Sequence, residues 1–202
     1  MARDLYRWLV AGARGHPADR HLFACILAHA LGEGERPLAE ALGLSAAQLA
    51  TLLQSRMPHA LSLQIDAGAD GEAPQALEEP DLRALLIEHG TAGAAEEVWL
   101  AHMLARRSLG ANHLWQDLGL TARSDLVDLM QRHFAPLAAK NSRDMKWKKF
   151  FYRELCEREG VLICKAPTCD VCCDVAHCFG GEDGEPLGAL ALSQTRQLSA
   201  SA

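Results

Sequence analysis

The residues best suited to chemistry are cysteines gathered near the C-terminus. Six of the seven cysteines lie between Cys156 and Cys178, and four of these follow a C-x4-C-x2-C-x5-C pattern. Thiolates packed so closely repel one another as they lose their protons, so a cation among them is the simplest way to stabilise the cluster. The pattern predicts a metal centre whose ligands are Cys164, Cys169, Cys172 and Cys178.

The spacing also narrows the kind of metal centre. Soft thiolate ligands select zinc, copper(I) or iron–sulfur clusters. A structural zinc site usually takes two Cys-x2-Cys pairs from separate parts of the chain, whereas here only Cys169 and Cys172 form such a pair. Cys-x4-Cys-x2-Cys is the first part of the plant-type iron–sulfur spacing. In that spacing the fourth cysteine lies far downstream, whereas here Cys178 follows after five residues. The spacing favours an iron–sulfur cluster over zinc, and a disulfide knot is disfavoured because nothing indicates secretion.

The elements around the cysteines predict a loop at the end of a basic helix. Pro167 and the Gly180-Gly181 pair are expected to keep the cysteine segment out of regular helix. Residues 140–165 carry eight basic and four acidic side chains, a charge of +4, whereas the rest of the chain carries −10. A local positive field attracts an anionic cluster or an oxyanion, although a solvated basic helix face explains the same pattern. The basic residues proposed for this role are Lys146, Lys148, Lys149 and Arg153.

The helix predicted over 145–159 adds another thiol to this region. Trp147, Phe150 and Phe151 form an apolar stripe that is expected to face the core. Cys156 lies on the cationic face, a setting that favours the thiolate, so it is a candidate fifth ligand. Cys173 is an extra thiol beside the four-cysteine pattern and is not counted among the ligands.

Composition predicts an all-α protein. Hydrophobic residues make up 49% of the 202 residues and aromatic residues only 5%, which favours helix over sheet. We expect one mostly helical domain over 1–182, with the cysteine loop at 164–178, followed by a flexible tail over 183–202. No apolar run is long enough to span a bilayer and the charged start lacks a signal-peptide core, so we expect a cytoplasmic protein.

Periodicity and end signals predict eight helical segments. Their ranges are 3–13, 20–31, a hairpin over 38–54, 81–89, 93–109, 112–118, 122–134 and 145–159. Asp19 and Asn112 are expected to cap two of these helices. Residues 58–80 are predicted as extended loop, and Cys25 as a buried cysteine that acts as a small hydrophobe.

Two other function classes are disfavoured. The hairpin over 38–54 resembles a helix-turn-helix, but its second helix begins with Ala46, Ala47 and Gln48, which are poor at reading DNA. The net charge of −6 also argues against a nucleic-acid binder. No nucleophile–base pair, phosphate loop or acid–base dyad is present, so we expect a carrier rather than an enzyme.

The sequence resembles the NifQ family. The likeness is carried by the cysteine pattern, with Ala166-Pro167 inside it and Cys178-Phe-Gly180 closing it, and by three segments upstream. These segments are Arg20-His-Leu-Phe-Ala24, Asn112-His-Leu-Trp-Gln-Asp-Leu-Gly-Leu120 and Met145-Lys-Trp-Lys-Lys-Phe-Phe-Tyr-Arg-Glu-Leu-Cys156. His113, in the second segment, is either turned towards the metal site or part of a motif that fixes helix packing.

The resemblance implies a molybdenum donor for the nitrogenase iron–molybdenum cofactor. Its iron–sulfur cluster, of the four-iron, four-sulfur type, would fall on Cys164, Cys169, Cys172 and Cys178 and would hold molybdenum when loaded. The implied partners are the scaffold and reductase proteins of cofactor assembly, with molybdate or thiomolybdate as the incoming metal. No nucleic acid or membrane partner is expected.

Two alternatives remain open on the residues themselves. One is a zinc-stabilised interaction protein in which the loop only supports the fold. The other is an iron–sulfur redox regulator that binds DNA through residues 38–54.

Overall fold

The chain folds into α-helices, as its composition predicts. The computed structural model describes residues 2–66, 78–161, 169, 172–173 and 175–187, and no β-strand occurs among them. The α-helices are α1 (Ala2–Ala11), α2 (Pro17–Glu33), α3 (Leu38–Leu42), α4 (Ala46–Arg56), α5 (Glu79–Glu88), α6 (Ala95–Ser108), α7 (Leu114–Asp117), α8 (Arg123–His133), α9 (Ala135–Lys140), α10 (Trp147–Arg158) and α11 (Val175–Phe179). A 3₁₀ helix (Pro58–Asp66) follows α4. In the part of the chain that the structure describes, no helix is both long and apolar enough to cross a membrane.

Two helices form the centre of the core. Most of α6 is buried, and this helix contacts α3, α4, α5 and α7. Helix α2 is also largely buried and packs against α1 and α3. The largest fully buried side chains include Phe23 on α2, Phe134 between α8 and α9, and Phe151 on α10. The buried face of α10 therefore joins the same core as the N-terminal helices.

The hairpin over 38–54 is a structural element. Ser45 accepts a hydrogen bond from the backbone of Gln48, and the Gln48 side chain accepts one from the Ser45 amide, so α4 begins with a capping box. The other end of the Gln48 amide lies 3.1 Å from Nε2 of His102, whose Nδ1 donates to the Gly43 carbonyl at 2.8 Å. Burial lowers the pKa of His102, which suits a neutral ring that both donates and accepts. Gln48 is the polar residue nearest to a position that could read a DNA base, and its side chain is already used in contacts with Ser45 and His102.

Two predicted local structures were wrong. Residues 58–66 form a 3₁₀ helix instead of extended loop, because a period of three turns Ala60 and Leu63 towards the core while Leu61 faces solvent. The short helix α9 was not predicted, and Pro136 lies in its first turn, where a missing amide hydrogen costs nothing. The cysteine segment is not free of helix either, since Cys178 lies on α11.

Two predicted caps have other roles. Helix α2 begins after His16, with Pro17 as its first residue, and Asp19 instead accepts a hydrogen bond at 2.8 Å from Nε2 of His133 on α8. Helix α7 begins after His113, so Asn112 lies one residue too early to cap it. Asp19 thus connects α2 to α8, whereas Asn112 donates to Asp117 at the end of α7.

Cys25 lies in the core, which confirms its predicted burial. Its side chain is 2% exposed, and burial, helped by the nearby charge of Asp125, raises the pKa of its thiol to about 12. The Cys25 sulfur lies 3.7 Å from both ring nitrogens of His21, and Tyr6 Oη lies 2.7 Å from Nδ1 of that ring. A thiol that stays protonated at neutral pH is a poor metal ligand and nucleophile, so Cys25 acts in packing.

Asp125 connects the start of α8 to α2. Its carboxylate accepts hydrogen bonds from the amides of Thr121 and Ala122, at 3.0 and 3.2 Å, and lies 3.8 Å from Nε2 of His21. The interaction with the His21 ring, followed by the hydrogen bonds from Thr121 and Ala122, lowers the pKa of Asp125 to about 2 against the opposing effect of burial. The charged carboxylate therefore stabilises the junction between α2 and α8.

This pKa predicts an acid-dependent loss of stability. A carboxyl whose folded pKa is depressed contributes stability above its unfolded pKa, near pH 4, and loses that contribution as the pH falls to about 2. Asp125→Asn lacks this carboxyl, so its free energy of unfolding should fall by about 1 kcal/mol less than that of the wild type over this pH range. The difference is this small because Asp125 is partly exposed. Urea unfolding between pH 4 and pH 2 measures it. Asp128→Asn, on the exposed face of α8, should keep the wild-type slope, and parallel curves for Asp125→Asn and wild type would contradict the assignment.

Candidate metal centre

Most of the clustered cysteines lie at the surface beyond α10. Cys169, Cys172 and Cys178 are half-buried free thiols, and Cys173 is an exposed free thiol. Cys164 lies outside the described residues, so its predicted ligand role stays a prediction. The outer face of α11 is exposed at Val175 through His177, which leaves this part of the loop accessible to another protein.

Short backbone turns organise the described cysteines. The Cys172 amide donates to the Cys169 carbonyl at 3.2 Å, and the Val175 amide donates to the Cys172 carbonyl at 3.3 Å. Cys169 and Cys172 are therefore held within one turn, and a second turn leads directly into α11. Among the described residues, no three His, Cys, Asp or Glu side chains converge in a way that could hold a metal ion. The chemistry of the donors nevertheless fits a thiolate-bound centre, because the described thiols are unpaired and half-buried or exposed.

Cys178 is fixed to the body of the protein at the start of α10. Its carbonyl accepts a hydrogen bond of 2.8 Å from the Lys146 amide, the residue just before α10. The next residue, Phe179, packs against the hydrophobic core, and the Arg143 guanidinium lies 4.9 Å from the centre of its ring. The C-terminal end of the cysteine loop is thus anchored by a backbone hydrogen bond, apolar packing and a cation–π contact.

Cys156 lies towards the opposite end of α10. It is half-buried, and its carbonyl accepts a hydrogen bond of 2.8 Å from the Val161 amide as the helix ends. Ten residues separate it from Lys146, which corresponds to about 15 Å along a helix axis. A centre that used both Cys156 and Cys178 would have to bridge most of α10, so the role of Cys156 as a fifth ligand stays a prediction.

The chain that leaves the loop is attached to α7 and α8. Arg123 Nε lies 2.6 Å from Glu182 Oε2, and His113 Nδ1 lies 3.3 Å from Glu182 Oε1. Gln116 Nε2 donates to the Glu185 carbonyl at 2.8 Å, and Pro186 is buried. Glu182 belongs to the predicted domain, whereas Glu185 and Pro186 lie in the segment that the sequence placed in a flexible tail. Residues 188–202 lie outside the described residues.

The 112–120 motif connects the loop to α10. Asn112 Nδ2 donates to Asp117 Oδ1 at 3.0 Å, and Lys148 Nζ donates to Asp117 Oδ2 at 2.5 Å and to the Gly110 carbonyl at 2.7 Å. His113 in the same motif faces Glu182, four residues after Cys178. His113 thus helps to fix the chain beyond the loop, and its two predicted roles, towards the metal site and in helix packing, stay predictions.

The positive field beside the loop is smaller than the sequence indicates. The ammonium of Lys148 is neutralised by Asp117 and is largely shielded from solvent, with a side chain 19% exposed. Lys140 and Arg153 pair with Glu154 and Glu157. Lys146 and Lys149 have no ion-pair partner among the residues that the structure describes, and Lys146 borders Cys178 directly. We therefore assign any attraction of anions to Lys146 and Lys149, and withdraw Lys148 from the predicted set.

Gly119 in the motif lies in a position that excludes a larger residue. Its φ is +69°, and an added Cβ would overlap the His29 side chain and approach the Cys25 carbonyl at 3.1 Å. Gly160, at the end of α10, has nearly the same φ of +68° but open space around it. Alanine substitutions at the two glycines therefore distinguish the free-energy cost of a left-handed backbone, which both share, from the cost of a steric clash, which only Gly119 has.

This difference predicts unequal losses of stability. Gly160→Ala should cost about 1 kcal/mol for the backbone conformation alone, whereas Gly119→Ala should cost about 3 kcal/mol, because α2 and α7 must also move apart. Urea unfolding of both variants measures the free energies. Equal losses would mean that the contact between Gly119 and α2 contributes nothing.

Two residues of the site were not singled out from the sequence. Arg123 and Glu182 are 59 residues apart, and neither belongs to a spacing pattern. The only local signal was the Gly180-Gly181 pair that precedes Glu182, which indicates a turn but no partner.

Helix packing and the anchored loop together define an all-α protein with a cysteine-rich candidate metal centre near its C-terminus. The sequence profile of the NifQ family matches residues 22–180, so the chain belongs to the NifQ family, which is associated with nitrogen fixation.

Individual relatives agree with this family. The chain is 41% identical over 182 residues to a protein NifQ homolog of Sinorhizobium fredii, covering 85% of this chain and 77% of that protein. It is 42% identical over 161 residues to protein NifQ of Rhodobacter capsulatus, covering 76% and 86% of the two chains. Protein NifQ of Azotobacter vinelandii is 43% identical over 102 residues, or 50% of this chain and 52% of that protein. No solved structure matches the chain.

Proposed function

We propose that this protein is an iron–sulfur carrier that binds molybdenum and donates it to the machinery that assembles the iron–molybdenum cofactor of nitrogenase. The observation that carries the proposal is a loop rich in free thiols, anchored to a helical body, in a chain of the NifQ family. Cys164, Cys169, Cys172 and Cys178 would hold a cluster of the four-iron, four-sulfur type. When bound, the cluster supplies sulfide through which molybdenum can be taken up.

The body of the protein supports this role by fixing the loop while leaving it accessible. The hydrogen bond from the Lys146 amide to the Cys178 carbonyl and the packing of Phe179 hold one end of the loop. The exposed surface from Val175 to His177 allows an acceptor protein to approach. Such an arrangement suits transfer of a metal to the scaffold and reductase proteins of cofactor assembly.

Charge beside the loop would help to bring in the metal. The Lys146 backbone meets Cys178, Lys149 is exposed three residues later on α10, and neither is neutralised by a described acidic side chain. Two ammonium groups attract molybdate or thiomolybdate, both of which are anions, and they would also attract an acidic acceptor surface. The incoming molybdenum is cargo that leaves with the acceptor, so we propose a carrier and not an enzyme.

One experiment separates this proposal from a zinc-stabilised interaction protein. The full chain is purified without oxygen, and visible absorption, iron, sulfide, molybdenum and zinc are measured on the same sample. Brown protein with iron, sulfide and molybdenum is the expected result. Colourless protein with one zinc per chain would contradict the carrier function and make the loop a structural support.

A regulator that binds DNA through residues 38–54 is not supported by the contacts of that hairpin. Gln48 is hydrogen-bonded to Ser45 and His102, and Leu49, Leu52 and Leu53 are buried. The start of α4 offers no basic side chain. We therefore do not propose nucleic-acid binding.

A further inference from the structure

A buried carboxylate lies just beyond the cysteine loop. The side chain of Glu182 is 4% exposed, although its neighbours Gly181 and Asp183 are exposed. Burial of a charged carboxylate costs free energy unless the charge is paired, so the position of the Glu182 side chain is restricted to the place where its partners lie. These partners are Arg123 at the start of α8 and His113 before α7, which hold its two oxygens at 2.6 and 3.3 Å.

The same arginine also holds the chain on the other side of Cys178. Arg123 Nη1 and Nη2 donate to the two carboxylate oxygens of Asp144 at 2.7 and 2.8 Å. Asp144 has a φ of +56°, a left-handed conformation that costs free energy in a non-glycine residue and persists only where its surroundings impose it. Two residues later, the Lys146 amide donates to the Cys178 carbonyl.

Arg123 thus connects two segments that border one cysteine. Through Asp144 it fixes the backbone that supplies the hydrogen bond to Cys178, and through Glu182 it fixes the chain four residues beyond Cys178. A guanidinium suits such a double contact because its donors lie on three nitrogens of a rigid planar fork, whereas an ammonium presents its donors from a single atom. The hydrogen bonds of Nη1 and Nη2 go to Asp144 and that of Nε to Glu182, so one side chain serves both segments.

We propose that Arg123 and Glu182 are positioning residues that fix Cys178 in the metal-binding loop before any metal arrives. This inference rests on the proposed function in one respect, which is that Cys178 is a ligand. Groups that orient metal ligands through hydrogen bonds typically change metal affinity 10-fold to 100-fold when they are replaced. Neither residue needs to touch the metal for such an effect.

Glu182→Gln tests the anchor without metal. Amide hydrogen exchange of the metal-free full chain is expected to rise about tenfold or more in peptides that cover 144–147 and 178–186, because the neutral amide no longer pairs with Arg123. Glu185→Gln is the matched control, since the Glu185 side chain is exposed and only its carbonyl is used. Exchange in Glu182→Gln equal to that in Glu185→Gln would overturn the proposal.

Metal release tests the consequence. After reconstitution with iron and sulfide, a chelator is expected to remove iron about tenfold faster from Glu182→Gln than from Glu185→Gln. Arg123→Lys provides a second variant that keeps the charge, and it should accelerate release because one ammonium cannot serve both Asp144 and Glu182. The double variant should release iron no faster than the faster single variant, because the two residues act as one unit.

The outcomes distinguish this inference from the function on which it rests. If Cys178→Ser loses iron but Glu182→Gln and Arg123→Lys release it at the wild-type rate with wild-type helical circular dichroism, the positioning role is wrong and the carrier function stands. If Cys178→Ser retains all of its iron, Cys178 is not a ligand and the positioning role falls with that assignment.

Discussion

Replacement of Cys178 by serine is expected to lower the iron bound to the reconstituted protein about tenfold and to remove molybdenum with it. Serine offers a hard, neutral hydroxyl in place of a soft thiolate, and the loss of one of four ligands weakens the whole centre. The fold should survive, because Cys178 is only half-buried and its anchor uses the backbone carbonyl. Iron, sulfide and molybdenum per chain, measured beside the circular dichroism spectrum, check this result.

The neighbouring cysteines supply the controls. Cys173→Ser should retain its metal, since the thiol is exposed and lies outside the four-cysteine pattern. Cys25→Ala should also retain it, because this thiol is buried in the core and stays protonated. If a variant with all four predicted ligands replaced still held iron and molybdenum in full, the carrier function would be rejected.

The metal content of Cys156→Ser tests whether Cys156 is a fifth ligand. If it is a fifth ligand reserved for molybdenum, Cys156→Ser should keep iron and sulfide but lose molybdenum. If it has no ligand role, both metals should stay at the wild-type level. The position of Cys156 towards the far end of α10 from Cys178 makes this comparison informative, because the two thiols are anchored independently.

Replacement of Glu79 by alanine is expected to lower the free energy of unfolding by about 3–5 kcal/mol. Glu79 on α5 is 1% exposed and pairs with Arg106 on α6, which is 9% exposed, at an Nε–oxygen distance of 3.1 Å. Without Glu79 the guanidinium would remain buried and uncompensated, which accounts for most of the loss. For a chain of this length the melting temperature should fall by roughly 10 °C.

Two further variants determine whether burial of the ion pair causes the loss of stability in Glu79→Ala. Glu88→Ala removes the exposed partner of Arg158 and should cost no more than about 1 kcal/mol. Replacement of Glu79 and Arg106 together by methionine should recover most of the loss, because no buried charge is left unpaired. Thermal unfolding of the metal-free protein measures all three, and an equal loss for Glu79→Ala and Glu88→Ala would show that the buried pair has no special weight.

Local sequence signals determined most of the helices. Ser45 and Gln48, three residues apart, form the capping box of α4, and the apolar stripe of Trp147, Phe150 and Phe151 is buried as predicted. Signals within a few residues of one another suffice here, because a helix is built from contacts between residues three and four apart. The same locality explains why two short helices were missed, since a proline commonly ends a helix but begins the 3₁₀ helix at Pro58 and lies in the first turn of α9 at Pro136.

The candidate site was proposed from the sequence because four thiols within fifteen residues are a local pattern, and its metal chemistry stays a prediction. What the sequence could not provide is the support of that site. Arg123 meets Glu182 across 59 residues, and Lys148 meets Asp117 across 31, so the first pair anchors the loop while the second removes a cation from it. Such contacts depend on which helix faces meet, and only the tertiary packing of α7, α8 and α10 decides that. The residue types and spacing of this protein determined its helices and the cysteine pattern, whereas the fold decided where Cys178 is held and which charges remain beside it.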